Sequence, residues 1–355
     1  MKIVLTRSMV PGDIQYIKDG LDKEIAGQYE FVVPSEFTEE GICEVCIDAD
    51  VLLGPYVTKK IVETTSGLKL IQIPWTGMDT FDFTAVQGVT VPICNTHSNA
   101  DSVAEIGVTI VLDLLKKVSY HDRKMRVGNW NRDQQPLNLK SKMINKQTVC
   151  ILGFGNIGSR IGKLIAAFGA KIITVDSRAK VMEDNEKYSD VGGFVFEAYP
   201  NEEINDALSK ADVIICTLPL TEKTKGMIND DMIASMKDGV IFVNMSRAAV
   251  VDEDAAWRGL ESGKIGAFGS DVWWNAPKRG VSQSYPSSKH KFWKLDNVLM
   301  SPHRAGFVED SLPHLDGAIK NIIALSKGEK LSGVVFHKNL SVSESLKLQA
   351  KHHSK

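Results

Sequence analysis

Residues 149–176 read VCILGFGNIGSRIGKLIAAFGAKIITVD. An apolar run (Val149, Cys150, Ile151, Leu152) enters Gly153-x-Gly155-x-x-Gly158, a helical pattern follows, and a second apolar run ends on Asp176. That order describes one βαβ unit of the kind that binds a dinucleotide. Gly153 permits the tight turn, Gly155 lets backbone N–H groups approach a pyrophosphate, and Gly158 lets the helix pack on the strand. Asp176 stands 18 residues beyond Gly158, where a carboxylate accepts hydrogen bonds from an adenosine ribose. A glycine loop alone is a common turn; the strand, helix, second strand and terminal acid around it make this one specific. A 2′-phosphate needs a cation, so Asp176 favours NAD over NADP. Arg178 works against that preference, or else stacks on the adenine or covers the pyrophosphate side. The candidate cofactor-binding residues in this stretch are Gly153, Gly155, Asn156, Ile157, Gly158, Asp176, Ser177 and Arg178.

At 355 residues the chain is expected to form about two domains. A hydrophobic content of 43%, a charged content of 24% and a formal charge of −2 describe a soluble globular protein. No basic stripe points to nucleic acid, and the longest apolar run, 106–115, is too short to span a bilayer. The opening MKIVLTRSMVPGD reads as a strand and turn rather than a signal peptide, which places the protein in the cytoplasm. The five cysteines agree with a reducing compartment. Cys43 and Cys46 form a C-x-x-C pair with no second pair and no nearby histidine, so a helix turn is preferred to a zinc site and no metal is expected.

Strand-like runs fall into two blocks. The first holds 2–5, 31–33, 51–53, 70–73 and 91–94; the second holds the fingerprint pair, then 213–217, 240–244, 265–271 and 298–301. Alternating βα order argues for two doubly wound parallel-sheet α/β domains. The expected division is a flavodoxin-like substrate domain (1–101 and 305–337) into which a Rossmann-type NAD domain (102–304) is inserted, with a disordered tail over 338–355 that includes His352 and His353. Ser102-Val-Ala-Glu105 reads as a capping box opening an apolar helix to about Lys117. That helix exceeds one ordinary apolar stripe, so it buries either against a second subunit or between the domains. The last helix, about 309–326, is expected to return to the first domain.

Several motifs together resemble the D-2-hydroxyacid dehydrogenases. They are Asn99-Ala-Asp-Ser-Val-Ala-Glu105, the glycine fingerprint, Leu218-Pro-Leu-Thr-Glu-Lys-Thr224 with Met227-Ile228, Val243-Asn-Met-Ser-Arg247, Gly269-Ser-Asp-Val272 and Ser301-Pro-His303. The resemblance runs over about residues 70–326 and implies NAD-dependent interconversion of a short 2-oxo acid, of glyoxylate, hydroxypyruvate or phosphoglycerate type, and its D-2-hydroxy acid. It also implies a homodimer.

Hydride transfer to a 2-oxo acid leaves an alkoxide that must receive a proton, and it needs a cation for the carboxylate and carbonyl. Arg247, at the end of an apolar strand, suits the second task through its two-pronged geometry. His303, after Pro302 at the end of the last strand, suits the first. The resemblance implies these same roles, with Arg247 binding substrate and His303 as acid/base. It further implies that Asp271 faces the nicotinamide carboxamide and that the loop Trp75-Thr-Gly-Met78 (Trp75, Thr76, Gly77, Met78) holds the substrate carboxylate. Cys216, Thr217, Pro219 and Asn244 line the cofactor cleft at strand ends. His97, His121 and His290 lack comparable placement and read as surface or packing residues. Trp75 and the pair Trp273-Trp274 either narrow the substrate pocket or pack at the domain interface. The basic insertion 277–294, with Lys278, Arg279, Lys289, Lys291 and Lys294, either covers the cleft or forms a solvated loop.

The chain departs from the family at one position. Most members carry a glutamate after the Asp-Val pair that hydrogen-bonds the histidine; here that position is Ala276, and no carboxylate occurs between Asp271 and Asp296. An imidazole without such support loses its proton at lower pH, so 2-oxo acid reduction is expected to have an acid-shifted optimum. The Asp-Val-Trp opening also resembles formate dehydrogenases, in which Asn99 matches a formate-contacting asparagine. Formate oxidation needs no acid/base step, which makes it the alternative reaction. A non-catalytic NAD(H)-binding regulatory protein is the alternative from another class; retention of Arg247 and His303 speaks against it. The expected small-molecule partner is therefore a 2-oxo or 2-hydroxy acid, with no nucleic acid and no membrane.

Overall fold

The computed structural model describes residues 1–130, 140–179, 194–277, 287–309 and 311–336. The expected tail 338–355 and the insertion residues Lys278 and Arg279 lie outside the described residues. In chain order the elements begin β1 (Lys2–Leu5), α1 (Pro11–Ile25), β2 (Glu30–Val32), α2 (Glu39–Cys46), β3 (Val51–Leu53), α3 (Lys59–Thr64), β4 (Leu70–Gln72) and β5 (Ile93–Cys94). There follow α4 (Ala100–Lys116), α5 (Val118–Arg126), β6 (Thr148–Leu152), α6 (Asn156–Ala167), β7 (Lys171–Val175), β8 (Val195–Tyr199), α7 (Ile204–Lys210) and β9 (Val213–Cys216). The described chain closes with α8 (Asp230–Ser235), β10 (Val240–Asn244), α9 (Glu253–Glu261), β11 (Ile265–Ser270), β12 (Val298–Met300), α10 (Pro313–Lys327) and β13 (Val334–Phe336).

These elements form two compact units, Met1–Asn99 with the described part of Gly306–Lys355, and Ala100–Ala305. The first holds a six-stranded sheet in the order β13-β5-β4-β3-β1-β2, parallel except for β13, which pairs antiparallel with β5. Without β13 the order is that of a flavodoxin-like sheet. The helix α10 packs on α1 in this unit: the Tyr16 hydroxyl donates to Asp316 at 2.7 Å, and Lys327 pairs with Glu24 at 2.5 Å.

The second unit holds a seven-stranded parallel sheet in the order β12-β11-β10-β9-β6-β7-β8. Counting from β6, this is the Rossmann order with one strand added beside the last. Its central strands are apolar without interruption because helices cover both faces. Alternate residues serve opposite cores: Cys150, Leu152, Ile214, Cys216 and Phe242 enter one, and Val149, Ile151, Val213, Ile215 and Val243 the other.

The capping box is not formed: α4 starts at Ala100, so Ser102 lies inside the first turn and its hydroxyl donates to the Ala305 carbonyl at 2.6 Å. The apolar excess of α4 is absorbed within the second unit, against α6 and the β10–β11 face. A Cβ on Gly107 would meet Ile161 at 2.9 Å, and nine of the helix's residues are buried. Two edge strands, β8 and β13, lie outside the strand-like runs read from the sequence; β8 has one buried residue, Tyr199.

Candidate active site

One row of paired residues crosses the carboxyl edge of the second sheet. Val175 of β7 pairs with Leu152 of β6, Leu152 with Cys216 of β9, Cys216 with Asn244 of β10, Asn244 with Ser270 of β11, and Ser270 with Met300 of β12. Asp176, Gly153, Thr217 and Asp271 each follow that row by one residue, and Arg247 and His303 by three. Residues scattered over more than a hundred positions thus leave the sheet at one edge, where open α/β sheets bind ligands.

The glycine loop has the geometry a pyrophosphate requires. Gly153 has φ +86°, a left-handed conformation that side chains rarely adopt, and it makes the turn out of β6. A Cβ on Gly155 would meet nothing within 4 Å, so the loop is open where a phosphate would approach. On Gly158 a Cβ would run into the Gly153 carbonyl oxygen, which fixes glycine there as the close contact between helix and loop. Gly155 stands at the N-cap of α6 with no side chain to cover that end of the helix, where a helix N-terminus suits an anion. Asn156 and Ile157 form the first turn of that helix. The Thr217 hydroxyl donates to the Gly153 carbonyl at 2.6 Å and ties β9 to the loop. The Pro219 carbonyl takes the Thr224 hydroxyl at 2.6 Å, closing the turn beyond. These features fit a dinucleotide.

Three residues expected to line the cofactor cleft have their side chains engaged inside the fold. Cys216 is fully buried beside the Ser246 hydroxyl at 3.5 Å, and burial raises its thiol pKa. Asn244, 1% exposed, accepts the Ser246 N–H at 3.0 Å and hydroxyl at 2.6 Å and donates to the Arg247 carbonyl at 3.2 Å. It therefore sets the backbone from which Arg247 projects. Asp271, 3% exposed, accepts the Ser301 hydroxyl at 2.5 Å, the Arg304 N–H at 3.1 Å and the Ala305 N–H at 3.0 Å. Its carboxylate brackets the turn that carries His303. The reason is the register: β11 and β12 end side by side, so the acid after one reaches the loop after the other.

His303 is exposed and has φ +53°, which costs an ordinary residue about 1–2 kcal/mol. The Asp271 bonds, with the Trp273 indole donating to the Ser301 carbonyl at 3.0 Å, hold that conformation. Sequence reading missed this anchoring; its only trace is that Ser301 belongs to the Ser-Pro-His motif. Arg247 is half-buried after β10, with Nη1 donating to the Ser246 carbonyl at 3.0 Å.

The tryptophan pair belongs to the core of the second unit. Trp273 and Trp274 pack with Phe268 and Phe292, and the Trp274 indole donates to the Val251 carbonyl at 2.9 Å. Ala276 is exposed and lines a cavity of about 690 Å³ with Trp274, Ser288, Lys289, Lys291 and Trp293. Among the basic insertion residues, Lys289 pairs with Asp254 at 2.6 Å, and His290 bonds the same carboxylate and stacks on Trp257.

In the first unit, the loop after β4 is tied to the segment after β5. The Thr76 hydroxyl donates to the Thr96 carbonyl at 2.9 Å and to Asn99 Oδ1 at 3.1 Å, and Asn95 Nδ2 donates to the Thr76 carbonyl at 2.8 Å. Trp75, Thr76, Gly77 and Met78 are half-exposed, and Arg7 lies over the Trp75 ring at 5.0 Å. Neither Arg7 nor its stacking was legible in sequence, since the two are 68 positions apart.

Residues 3–185 match the family model for the D-isomer specific 2-hydroxyacid dehydrogenase catalytic domain, and residues 108–305 match that for its NAD binding domain. A hydroxypyruvate reductase of Thermotoga maritima is 31% identical over 297 residues, covering 81% of this chain and 90% of the relative. A chloroplastic/mitochondrial formate dehydrogenase of Arabidopsis thaliana is 30% identical over 72% of this chain and 62% of the relative. The structure of D-lactate dehydrogenase with NAD⁺ from Lactobacillus jensenii aligns with TM-score 0.74 at 25% identity, covering 95% of this chain and all of that one. With its NAD-binding domain matched, the cofactor of the second unit is NAD. The chain belongs to the D-isomer specific 2-hydroxyacid dehydrogenase family.

Proposed function

We propose that the protein reduces a short 2-oxo acid, of the glyoxylate, hydroxypyruvate or phosphohydroxypyruvate type, to its D-2-hydroxy acid. The observation that carries this reading is the single row of strand ends from which the glycine loop, Arg247, Asp271 and His303 all emerge. Bound NADH supplies the hydride. Arg247 binds the substrate carboxylate and polarises the carbonyl, and its charge stabilises the developing alkoxide. His303 delivers the proton that the alkoxide takes up. Asp271 holds the His303 turn, Asn244 sets the Arg247 backbone, and Thr217 secures the loop that receives the pyrophosphate. In the first unit we assign carboxylate binding to the backbone of Trp75, Thr76, Gly77 and Met78, with Asn99 fixing Thr76.

NADH oxidation measured with glyoxylate, hydroxypyruvate, pyruvate and phosphohydroxypyruvate, and NAD reduction with formate, tests the reading. At least one 2-oxo acid is expected to turn over. Arg247→Met is expected to lower kcat/KM by roughly 100-fold, because hydrogen bonds to charged groups contribute about 1.5–3 kcal/mol each. Turnover of formate alone would favour the formate reaction. Cofactor binding with no turnover of any compound would leave only the regulatory reading.

We further infer a homodimer in a reducing, cytoplasmic setting. All five cysteines are free. No helix among the described residues is long and apolar enough to cross a membrane. Val118, Met125, Val127 and Trp130, on and just after α5, are 47–79% exposed, and we assign the contact with a second copy to them.

A further inference from the structure

A cavity of about 270 Å³ lies at the amino edge of the second sheet, the edge opposite the glycine loop. Its inner wall is apolar, made by Leu114 of α4, Ala267 of β11, and Val298 and Leu299 of β12. Its rim is polar: Asp113, Lys117, Tyr120 and Arg123 come from the α4–α5 junction, and Asp296 from the turn before β12. The two acids are engaged. Asp113 Oδ1 accepts the Ser119 N–H at 2.7 Å and hydroxyl at 2.9 Å, and Asp296 pairs with Lys124 at 3.2 Å. The cations are not. Arg123 makes one long bond, from Nη2 to the Asp296 carbonyl at 3.4 Å, and the half-buried Lys117 ammonium meets neither a hydrogen-bond acceptor nor an ion-pair partner. Burial, then the neighbouring Lys142 ammonium, pushes the Lys117 pKa down, and Asp113 offsets this only in part. Lys117 also has φ +59°, a left-handed conformation that asparagine or glycine holds more easily. Among the described residues the only other non-glycine position with positive φ is His303. Strain of this kind gathers at ligand sites.

Counting Lys124, the rim carries three cationic and two anionic side chains, one positive charge in excess. A singly charged anion balances it, whereas a doubly charged phosphate ester would bring surplus negative charge beside Asp113 and Asp296. The apolar wall calls for a hydrocarbon body joined to that anion. The volume lies just below the roughly 300–1,000 Å³ of pockets for drug-sized ligands, which limits the occupant to a small metabolite. We propose that this cavity binds a short aliphatic monocarboxylate, its carboxylate on Lys117 and Arg123 and its chain against Leu114, Ala267, Val298 and Leu299. The site is separate from Arg247 and the cofactor edge: it uses the amino ends of β11 and β12, and Asp271 and His303 follow their carboxyl ends. Tyr120 and Arg123 lie on the face of α5 opposite Val118 and Met125, so the cavity and the assigned contact through those two residues use different surfaces.

Butyrate serves as the probe and butyramide as its uncharged counterpart. Acetylation of the full chain by N-hydroxysuccinimidyl acetate, read lysine by lysine by peptide mass spectrometry, reports on Lys117 whatever occupies the catalytic cleft. Butyrate at about 10 mM is expected to slow acetylation of Lys117 by about threefold or more, the protection that a dissociation constant in the millimolar range gives. Exposed Lys163 on α6 is expected to react at an unchanged rate, and butyramide to protect neither lysine. Arg123→Gln, at an exposed position, keeps Lys117 as the reporter and is expected to remove most of the protection. Lys117→Asn suits the left-handed backbone while removing the cation, and in an Arg247→Met background it is expected to weaken calorimetric butyrate binding roughly tenfold, the scale of one charge-assisted contact. Unchanged acetylation of Lys117 under butyrate, equal protection by butyramide, or butyrate binding indifferent to both variants overturns the proposal. The roles of Arg247 and His303 are judged separately, by turnover.

Discussion

The left-handed backbone of His303 is held by a carboxylate from the neighbouring strand end, with Asp271 bonded on both sides of it through Ser301, Arg304 and Ala305. Replacing Asp271 with asparagine keeps the shape but turns a donor-bearing amide toward three donors. The turn then loses acceptors, and His303 relaxes out of its strained conformation. Asp271→Asn is expected to lower kcat roughly 100-fold, the scale of a misplaced general acid. The dissociation constant for adenosine 5′-phosphate, which binds elsewhere on the sheet edge, is expected to stay within about threefold. Unchanged kcat would show that Asp271 does not position the histidine. At this scale the sequence named Arg247, His303 and the glycines from their motifs. It did not show what holds Asp271, because a motif states which residue is present and not which donors surround it.

Helix α9 begins with Asp252 as its cap, accepting the Ala255 N–H at 2.8 Å, and with Glu253 and Asp254 in the first turn. Lys289 and His290 both bond Asp254, and together they pull its carboxyl pKa down to about 2 from an ordinary 3.8. A carboxyl lowered in the fold stabilises it fully above the ordinary value and loses that contribution as pH falls toward the folded value. Asp254→Asn is therefore expected to lower the urea midpoint at neutral pH by a small amount, with wild type and variant converging between about pH 4 and pH 2. A gap that persists at the acid end would assign the effect to something other than the ion pairs. Strands with apolar runs, such as 149–152 in β6, all of β9 and 240–243 in β10, were legible because burial on both faces favours an apolar residue at each of those positions. The start of α4 was misread: Ser102 and Glu105 have capping-box spacing, but the chain enters the helix two residues earlier, and Ser102 serves the Ala305 carbonyl instead.

Across the whole molecule, each unit has its own sheet with cores on both faces. Most apolar residues of α4 are buried within the second unit, and we place the dimer surface on α5 and the residues just after it, where Val118, Met125, Val127 and Trp130 are exposed. Sedimentation velocity at micromolar concentration is expected to show a dimer, and Trp130→Asp with Val127→Asp to shift it toward monomer, since a buried charge without a partner is costly. A wild-type monomer would remove the dimer.

By itself the sequence determined two doubly wound α/β sheets, a dinucleotide loop and membership of the hydroxyacid-dehydrogenase family, because periodicity, glycine placement and short motifs are local. The tertiary structure decided what those residues touch. Strand register brought Asp271 to the His303 turn, and the fold closed Arg178 onto Asp176. Hydrogen-bond satisfaction is settled in three dimensions, by whichever donors the register sets beside a buried oxygen.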